Sequence, residues 1–127
     1  MNAAVLDASA VLALLHGEPG ADRVASALER ACISAVNLAE VLGRLRRAGV
    51  GREDCARAVG CLPLEVVPFD RALAAEVAEL EALTAGSGLS LGDRACLATA
   101  RVRRQTALTA DRAWLRLDVG VRVVAIR

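Results

Sequence analysis

Two hydrophobic rhythms alternate along the chain. Ala3 to Leu6 is a short continuous apolar run, which predicts a buried strand. Ala8 to His16 then reads as a helix, and Asp22 to Arg30 as a second helix with Val24, Ala27 and Leu28 on one face. Cys32 to Ser34 is strand-like. Val36 to Arg47 carries Leu38, Val41, Leu42 and Leu45 at the i, i+3, i+4, i+7 spacing of one helix face. A further helix is expected over Arg52 to Cys61, a strand over Glu65 to Val67, and a helix over Asp70 to Leu83 with Leu73, Val77, Leu80 and Leu83 inward. Leu91 to Arg104 is again helical, Thr106 to Thr109 a strand, Arg112 to Leu117 a short helix, and Val121 to Ile126 a closing strand.

The breaks between these elements are short. Gly17, Pro19 and Gly20 mark one, Ala48 to Gly51 a second, Pro63 and Pro68 bracket a third, and Ala85 to Gly88 form a fourth. Strands alternating with helices imply an α/β fold whose mainly parallel sheet is covered on both faces. The apolar character of Val121 to Ile126, interrupted only by Arg122, predicts a strand buried on both sides. There is no repeat and no low-complexity linker. The 127 residues suit a single domain, 1–127, large enough to build a core without disulfides.

Composition adjusts this picture in three places. Only Phe69 and Trp114 are aromatic, so the core must be Leu, Val, Ile and Ala, and base stacking on an aromatic surface is not available. The net charge of +1 excludes a strongly basic nucleic-acid magnet, although all 16 basic residues are arginine, the side chain better suited to bidentate phosphate contact. Cys32, Cys55, Cys61 and Cys96 lack zinc-like spacing, and His16 is the single histidine, so the cysteines read as small reduced hydrophobes in a cytoplasmic protein. No apolar run approaches the ~20 residues that span a bilayer, and Ala3 to Leu15 lacks the basic leader of a signal peptide. No membrane association is expected.

In an open α/β sheet, ligands bind at the carboxyl ends of the strands. Asp7 and Asp111 both fall there, each just before a helix. Glu40 lies at the border of the apolar row of its helix, and Asp93 in the first turn of another. Gathered carboxylates raise one another's pKa unless a cation neutralises them, and Mg²⁺ or Mn²⁺ suits an all-oxygen site. Such an ion activates water and stabilises charge on a phosphate, which points to phosphodiester hydrolysis. Each acid also has a structural reading. Asp7 and Asp111 can be N-caps, Ser90 to Asp93 has the form of a capping box, and Glu40 can pair with Arg44 four residues on.

Four stretches, in order, carry a resemblance. Val5-Leu6-Asp7-Ala8-Ser9-Ala10-Val11-Leu12-Ala13-Leu14-Leu15 resembles the opening of a PIN domain, especially of the VapC-type toxins. Ile33-Ser34-Ala35-Val36-Asn37-Leu38-Ala39-Glu40-Val41 resembles the second motif, Leu89 to Ala100 with Asp93 the third, and Leu108-Thr109-Ala110-Asp111-Arg112 the fourth. The resemblance implies a three-layer α/β/α sandwich. It implies an acidic Mg²⁺ or Mn²⁺ site at Asp7, Glu40, Asp93 and Asp111, with Ser9 and Thr109 orienting carboxylates or water beside it. It also implies RNA endonuclease activity, a cognate antitoxin that blocks the site, and a homodimer. Arg94 and Arg112 each follow an acid directly and could compete with a cation for it.

The remaining features divide between surface and core. Arg44, Arg46 and Arg47 end one helix and Arg101, Arg103 and Arg104 another. They complement helix C-termini or, alternatively, form a rim that tracks phosphates. Trp114 is expected to be partly buried. Val11, Leu12, Leu14 and Leu15 cannot all face inward, which predicts leftover apolar surface on the first helix. Against the nuclease stands a non-catalytic binding module for RNA or a protein partner, with the acids serving as caps. A phosphoryl-accepting receiver domain is disfavoured, because it needs a late lysine and the chain has none.

Overall fold

The computed structural model describes residues 3–127. Among them five strands form one sheet: β1 (Ala4–Leu6), β2 (Ala31–Ser34), β3 (Glu65–Val67), β4 (Thr106–Thr109) and β5 (Val123–Ala125). Their order is β3-β2-β1-β4-β5, and every neighbouring pair is parallel. Leu6 lies level with Ile33 on one side and with Leu108 on the other, so β1, β2 and β4 end together. Six α-helices connect the strands: α1 (Ala8–His16), α2 (Ala21–Ala27), α3 (Ala35–Arg47), α4 (Arg52–Gly60), α5 (Arg71–Leu83) and α6 (Leu91–Arg103).

The period-2 alternation of the strands sorts their side chains into two cores. Ala4, Leu6, Ala31, Ile33 and Leu108 meet Ala10, Val11 and Leu12 of α1, Val24 of α2, Val41 and Leu45 of α3 and Cys55 of α4. The opposite face offers Val5, Cys32, Val67 and Ala107 to Leu73, Val77 and Leu80 of α5, to Cys96, Leu97, Ala98 and Ala100 of α6, and to Trp114. The result is the expected three-layer α/β/α sandwich. The alanines of α6 let that helix lie close on the sheet, and Ala95 to Ala100 are buried without interruption. No described helix is long and apolar enough to cross a membrane.

Several expectations change in detail. The second predicted helix is split: α2 stops at Ala27, and Leu28–Arg30 tighten into a 3-10 turn that leads into β2. The segment after Asp111 is likewise a 3-10 turn, Arg112–Arg116, and its Trp114 is fully buried rather than partly. The closing strand is not buried on both sides. It shrinks to Val123–Ala125, lies at the sheet edge and is half-buried along its length. On α1, Val11 and Leu12 are buried and Leu14 and Leu15 half-buried; the large exposed hydrophobics lie elsewhere, at Val66, Leu83, Leu91, Val102 and Leu115. All four cysteines are free thiols, with Cys61 exposed and the others buried.

Candidate active site

Because β1 and β4 are neighbours in register, the residues just past their ends meet. The Asp7 backbone N–H donates to the Leu108 carbonyl at 3.1 Å. The Asp7 side chain is 5% exposed and densely held. Its Oδ1 accepts from the Ala10 N–H at 2.8 Å, capping α1, and its Oδ2 accepts from Thr109 Oγ1 at 2.6 Å. The Ser9 hydroxyl lies 2.7 Å from Oδ1 and 2.9 Å from Oδ2. Each hydroxyl is itself an acceptor: Ser9 Oγ from the Ala110 N–H at 2.9 Å, Thr109 Oγ1 from the Asp111 N–H at 3.0 Å. Backbone amides beyond β4 thus polarise two hydroxyls that point their protons at one carboxylate. Burial still dominates and raises the Asp7 pKa. The bonds from Thr109, Ser9 and Ala10 oppose that rise, and the charge on Asp93 adds to it.

Glu40 and Asp93 come from the other side of the same strand ends. Ser34, at the end of β2, caps α3 through the Val36 N–H at 3.2 Å, and this sets the phase of the helix. Asn37 then points inward and is 1% exposed. Its Nδ2 donates to Glu40 Oε1 at 2.8 Å and to the Gly92 carbonyl at 2.9 Å. Ser90 starts α6 with the predicted capping box: its Oγ accepts from the Asp93 N–H at 3.1 Å, and Asp93 Oδ2 accepts from the Ser90 N–H at 3.0 Å. Asp111, more exposed, caps the 3-10 turn through the Ala113 N–H at 3.0 Å. The capping readings of Asp7, Asp93 and Asp111 therefore hold as geometry, and Glu40 is partnered by Asn37 rather than paired with Arg44.

The four acids also line one cleft of about 500 Å³, together with Ser9, Asn37, Arg44, Arg47, Glu18 and Arg127. The field of Asp7, Glu40 and Asp93 reaches the buried thiol of Cys96 in α6. Burial first, then the negative charges of Asp7, Cys32, Asp93 and Glu40, push that thiol well above its ordinary value. Arg94 and Arg112 do not compete for the acids: Arg94 Nε donates to Thr84 Oγ1 at 3.4 Å, and Arg112 Nη1 to the Arg127 carbonyl at 3.1 Å. The two arginine clusters separate as well. Arg44 and Arg47 face the cleft, whereas Arg101 pairs with Glu76 at 3.2 Å and Arg103 with Glu65 at 2.7 Å.

The donor set fits a hard divalent cation, with a loose collar rather than a closed cage. Among the described residues no three Asp, Glu, His or Cys side chains already stand close enough to hold an ion between them. Mg²⁺ keeps several waters and takes one or two carboxylates plus substrate phosphate, so it does not require such a cage. A buried carboxylate whose charge is penalised by burial is a group that a cation would relieve.

Four participants escape a reading of the sequence. Asn37 sits on the inward row with Val41 and Leu45, and a polar residue at that spacing is the available signal. Gly92 leaves room for the Glu40 carboxylate, in a space that only the fold defines. Glu18 and Arg127 meet across the chain's length, with Arg127 Nη1 3.8 Å from Glu18 Oε1 and donating to the Pro19 carbonyl at 3.0 Å.

With this geometry in view, the likeness to known proteins is informative. The PIN domain profile matches residues 4–120, and the chain belongs to the PIN domain family. Solved structures extend the likeness. A chain of the DNA-bound VapBC complex from Salmonella typhimurium superposes with a TM-score of 0.80 at 21% identity, with 100% of each chain covered. The Mycobacterium tuberculosis toxin VapC20, described as cleaving the sarcin-ricin loop, gives 0.72 at 21% identity over 94% of this chain and 99% of that one. A VapBC-5 structure, also from Mycobacterium tuberculosis, gives 0.66 at 27% identity over 98% and 99%. No curated protein sequence matches significantly.

Proposed function

We propose that this PIN domain is a metal-dependent endoribonuclease acting as the toxin of a toxin–antitoxin pair. The observation that carries the reading is the convergence of Asp7, Glu40, Asp93 and Asp111, from four separate segments, on one cleft. The likeness to VapBC proteins, and the sarcin-ricin loop cleavage by one of them, favour RNA as substrate and an antitoxin as partner.

In this reading the four acids hold Mg²⁺ or Mn²⁺. When bound, the cation lowers the pKa of water and offsets charge on the scissile phosphate. The chain's own residues supply position. Asp7 is the fixed point, held through both oxygens by Ser9, Thr109 and the start of α1. Ser9 and Thr109 keep it oriented, as outer partners of ligating carboxylates do. Glu40, Asp93 and Asp111 close the remaining sides of the cleft. Arg44 and Arg47 on its wall offer guanidinium groups to the RNA backbone. The expected products carry 5′-phosphate and 3′-hydroxyl ends. Residues 1–127 act as one unit in the cytoplasm, as a homodimer whose acid site a cognate antitoxin blocks.

The test is cleavage of RNA with Mg²⁺ or Mn²⁺ by the wild type, Asp7→Asn and Asp93→Asn. Loss of cleavage in both variants supports the mechanism, and equal rates in all three proteins reject it.

One observation favours a second reading. Asp7, Asp93 and Asp111 each already cap a helical start. A binding module using the acids only in that way would show no acid-dependent uptake of Mn²⁺ in calorimetry, whereas the nuclease must show it.

A further inference from the structure

Glu40 is the one acid of the four that caps no helix and lies on an exposed stretch of α3. A free glutamate there would sample many rotamers. Two features prevent this. The first is Asn37, one turn earlier on α3, whose amide is buried and gives one N–H to Glu40 Oε1 and the other to the Gly92 carbonyl. Its Oδ1 is buried without a partner. Turning the amide over would set that oxygen against two acceptors, so the demand for two donors fixes its orientation. A serine or threonine has a single proton and cannot serve both. The second feature is Gly92 itself. A Cβ at this position would fall well inside van der Waals contact with the Glu40 carboxylate, overlapping Oε1, Cδ and Oε2. The absent side chain is the space in which the carboxylate rests. Gly92 directly precedes Asp93, so the same contact brings Glu40 to the α6 start that carries the third acid.

We propose that Asn37 and Gly92 form a positioning device for Glu40, tying α3 to the first turn of α6 and setting the distance between the second and third acids. This rests on the four-acid reading of the cleft. Asn37 acts through Glu40 and is a positioning residue.

The experiment has two arms. In the metal-free protein, the Asn37 side-chain N–H₂ is followed by NMR. Both protons should be resolved and slow to exchange, and Glu40→Ala should release one of them while leaving the other protected by Gly92. Two freely exchanging, equivalent protons would overturn the proposal. In the second arm, Mn²⁺ affinity, kcat, KM and thermal midpoint are compared for Asn37→Thr, Gly92→Ala, Glu40→Gln and the double variant Asn37→Thr/Glu40→Gln. Gly92 has no left-handed φ, so alanine suits its backbone and the helix should not melt. Gly92→Ala should keep its midpoint yet lose tenfold or more in kcat or Mn²⁺ affinity. The Asn37 change should cost nothing further once Glu40 is neutralised, because residues acting through one another are not additive. Full, independent losses in the double variant, or unchanged kcat and affinity in Gly92→Ala, would overturn the device. If Glu40→Gln itself is without effect while the NMR arm holds, the four-acid reading has failed and not the contact.

Discussion

Thr109 Oγ1 reaches Asp7 Oδ2 at 2.6 Å, although the two residues are 102 positions apart in the chain. The same hydroxyl receives the Asp111 N–H at 3.0 Å. One atom therefore couples the first acid to the backbone of the fourth. Thr109→Val keeps the shape and removes both bonds. It should lower stability by about 1–3 kcal/mol, since the Asp111 N–H and the buried carboxylate each lose a partner. Activity should fall by about 10–100-fold, the usual penalty for losing an outer partner of a ligating group. Urea midpoints and initial rates on RNA measure the two effects separately.

Asp7 makes stability depend on pH in a defined direction. Burial raises its folded-state pKa above the ordinary 3.8. The folded protein thus binds this proton more tightly than the unfolded chain does. Below 3.8 both states are protonated and nothing changes. From there up through the raised value, this group's contribution makes the fold less stable as pH rises. Asp7→Asn should flatten that part of the profile and raise the thermal midpoint of the metal-free protein near neutrality. Mn²⁺ should raise the midpoint of the wild type and not of the variant. Thermal scans across the acid range, with and without the ion, decide this.

Capping and charge can be separated at the start of α6. Ser90→Ala removes the bond to the Asp93 N–H and leaves the acid in place. It should lower stability by about 1 kcal/mol with little change in turnover. Asp93→Asn keeps an acceptor for the Ser90 N–H but loses the charge. It should fold nearly as well and lose more than ~100-fold in activity, beyond what outer partners alone command. Paired unfolding curves and cleavage rates check the contrast.

Gly20 closes the α1–α2 connection against the far end of the chain. Its φ is +96°, and a Cβ there would sit 2.6 Å from the Ile126 carbonyl oxygen and 2.8 Å from Ile126 Cγ1. Gly20→Ala combines an unfavourable backbone conformation with a clash against main chain. A loss of about 1–3 kcal/mol is expected, read as a lower denaturant midpoint.

Much of this architecture is written locally. Alternating strands and helices are visible because each strand's apolar run and each helix's 3.6 rhythm depend on near neighbours. The acids at positions 7, 93 and 111 are visible because strand ends and helix starts are. What is not visible depends on partners remote in sequence. The segment 121–126 has the composition of a buried strand, yet its exposure follows from lying outermost in the order β3-β2-β1-β4-β5, which its own residues do not encode. Asn37 stands out in sequence only as a polar residue on an apolar row, and what it holds is not visible until the Gly92 carbonyl, 55 positions away, is set beside it. The same holds for Gly92, whose neighbour at 40 is brought by the fold alone. The 3-10 turn at Leu28–Arg30 is a local ending that the helix rhythm passes over.

The placement of β1 between β2 and β4 has a consequence for the order of folding. Asp7 and the hydroxyl at 109 stand 102 positions apart and meet only because their strands pair. Until β4 slots in beside β1, the Asp7 carboxylate lacks the Thr109 hydroxyl and the cleft lacks Asp111. The cleft is thus completed late in folding, by the long-range docking of β4, and not when either segment forms its own local structure.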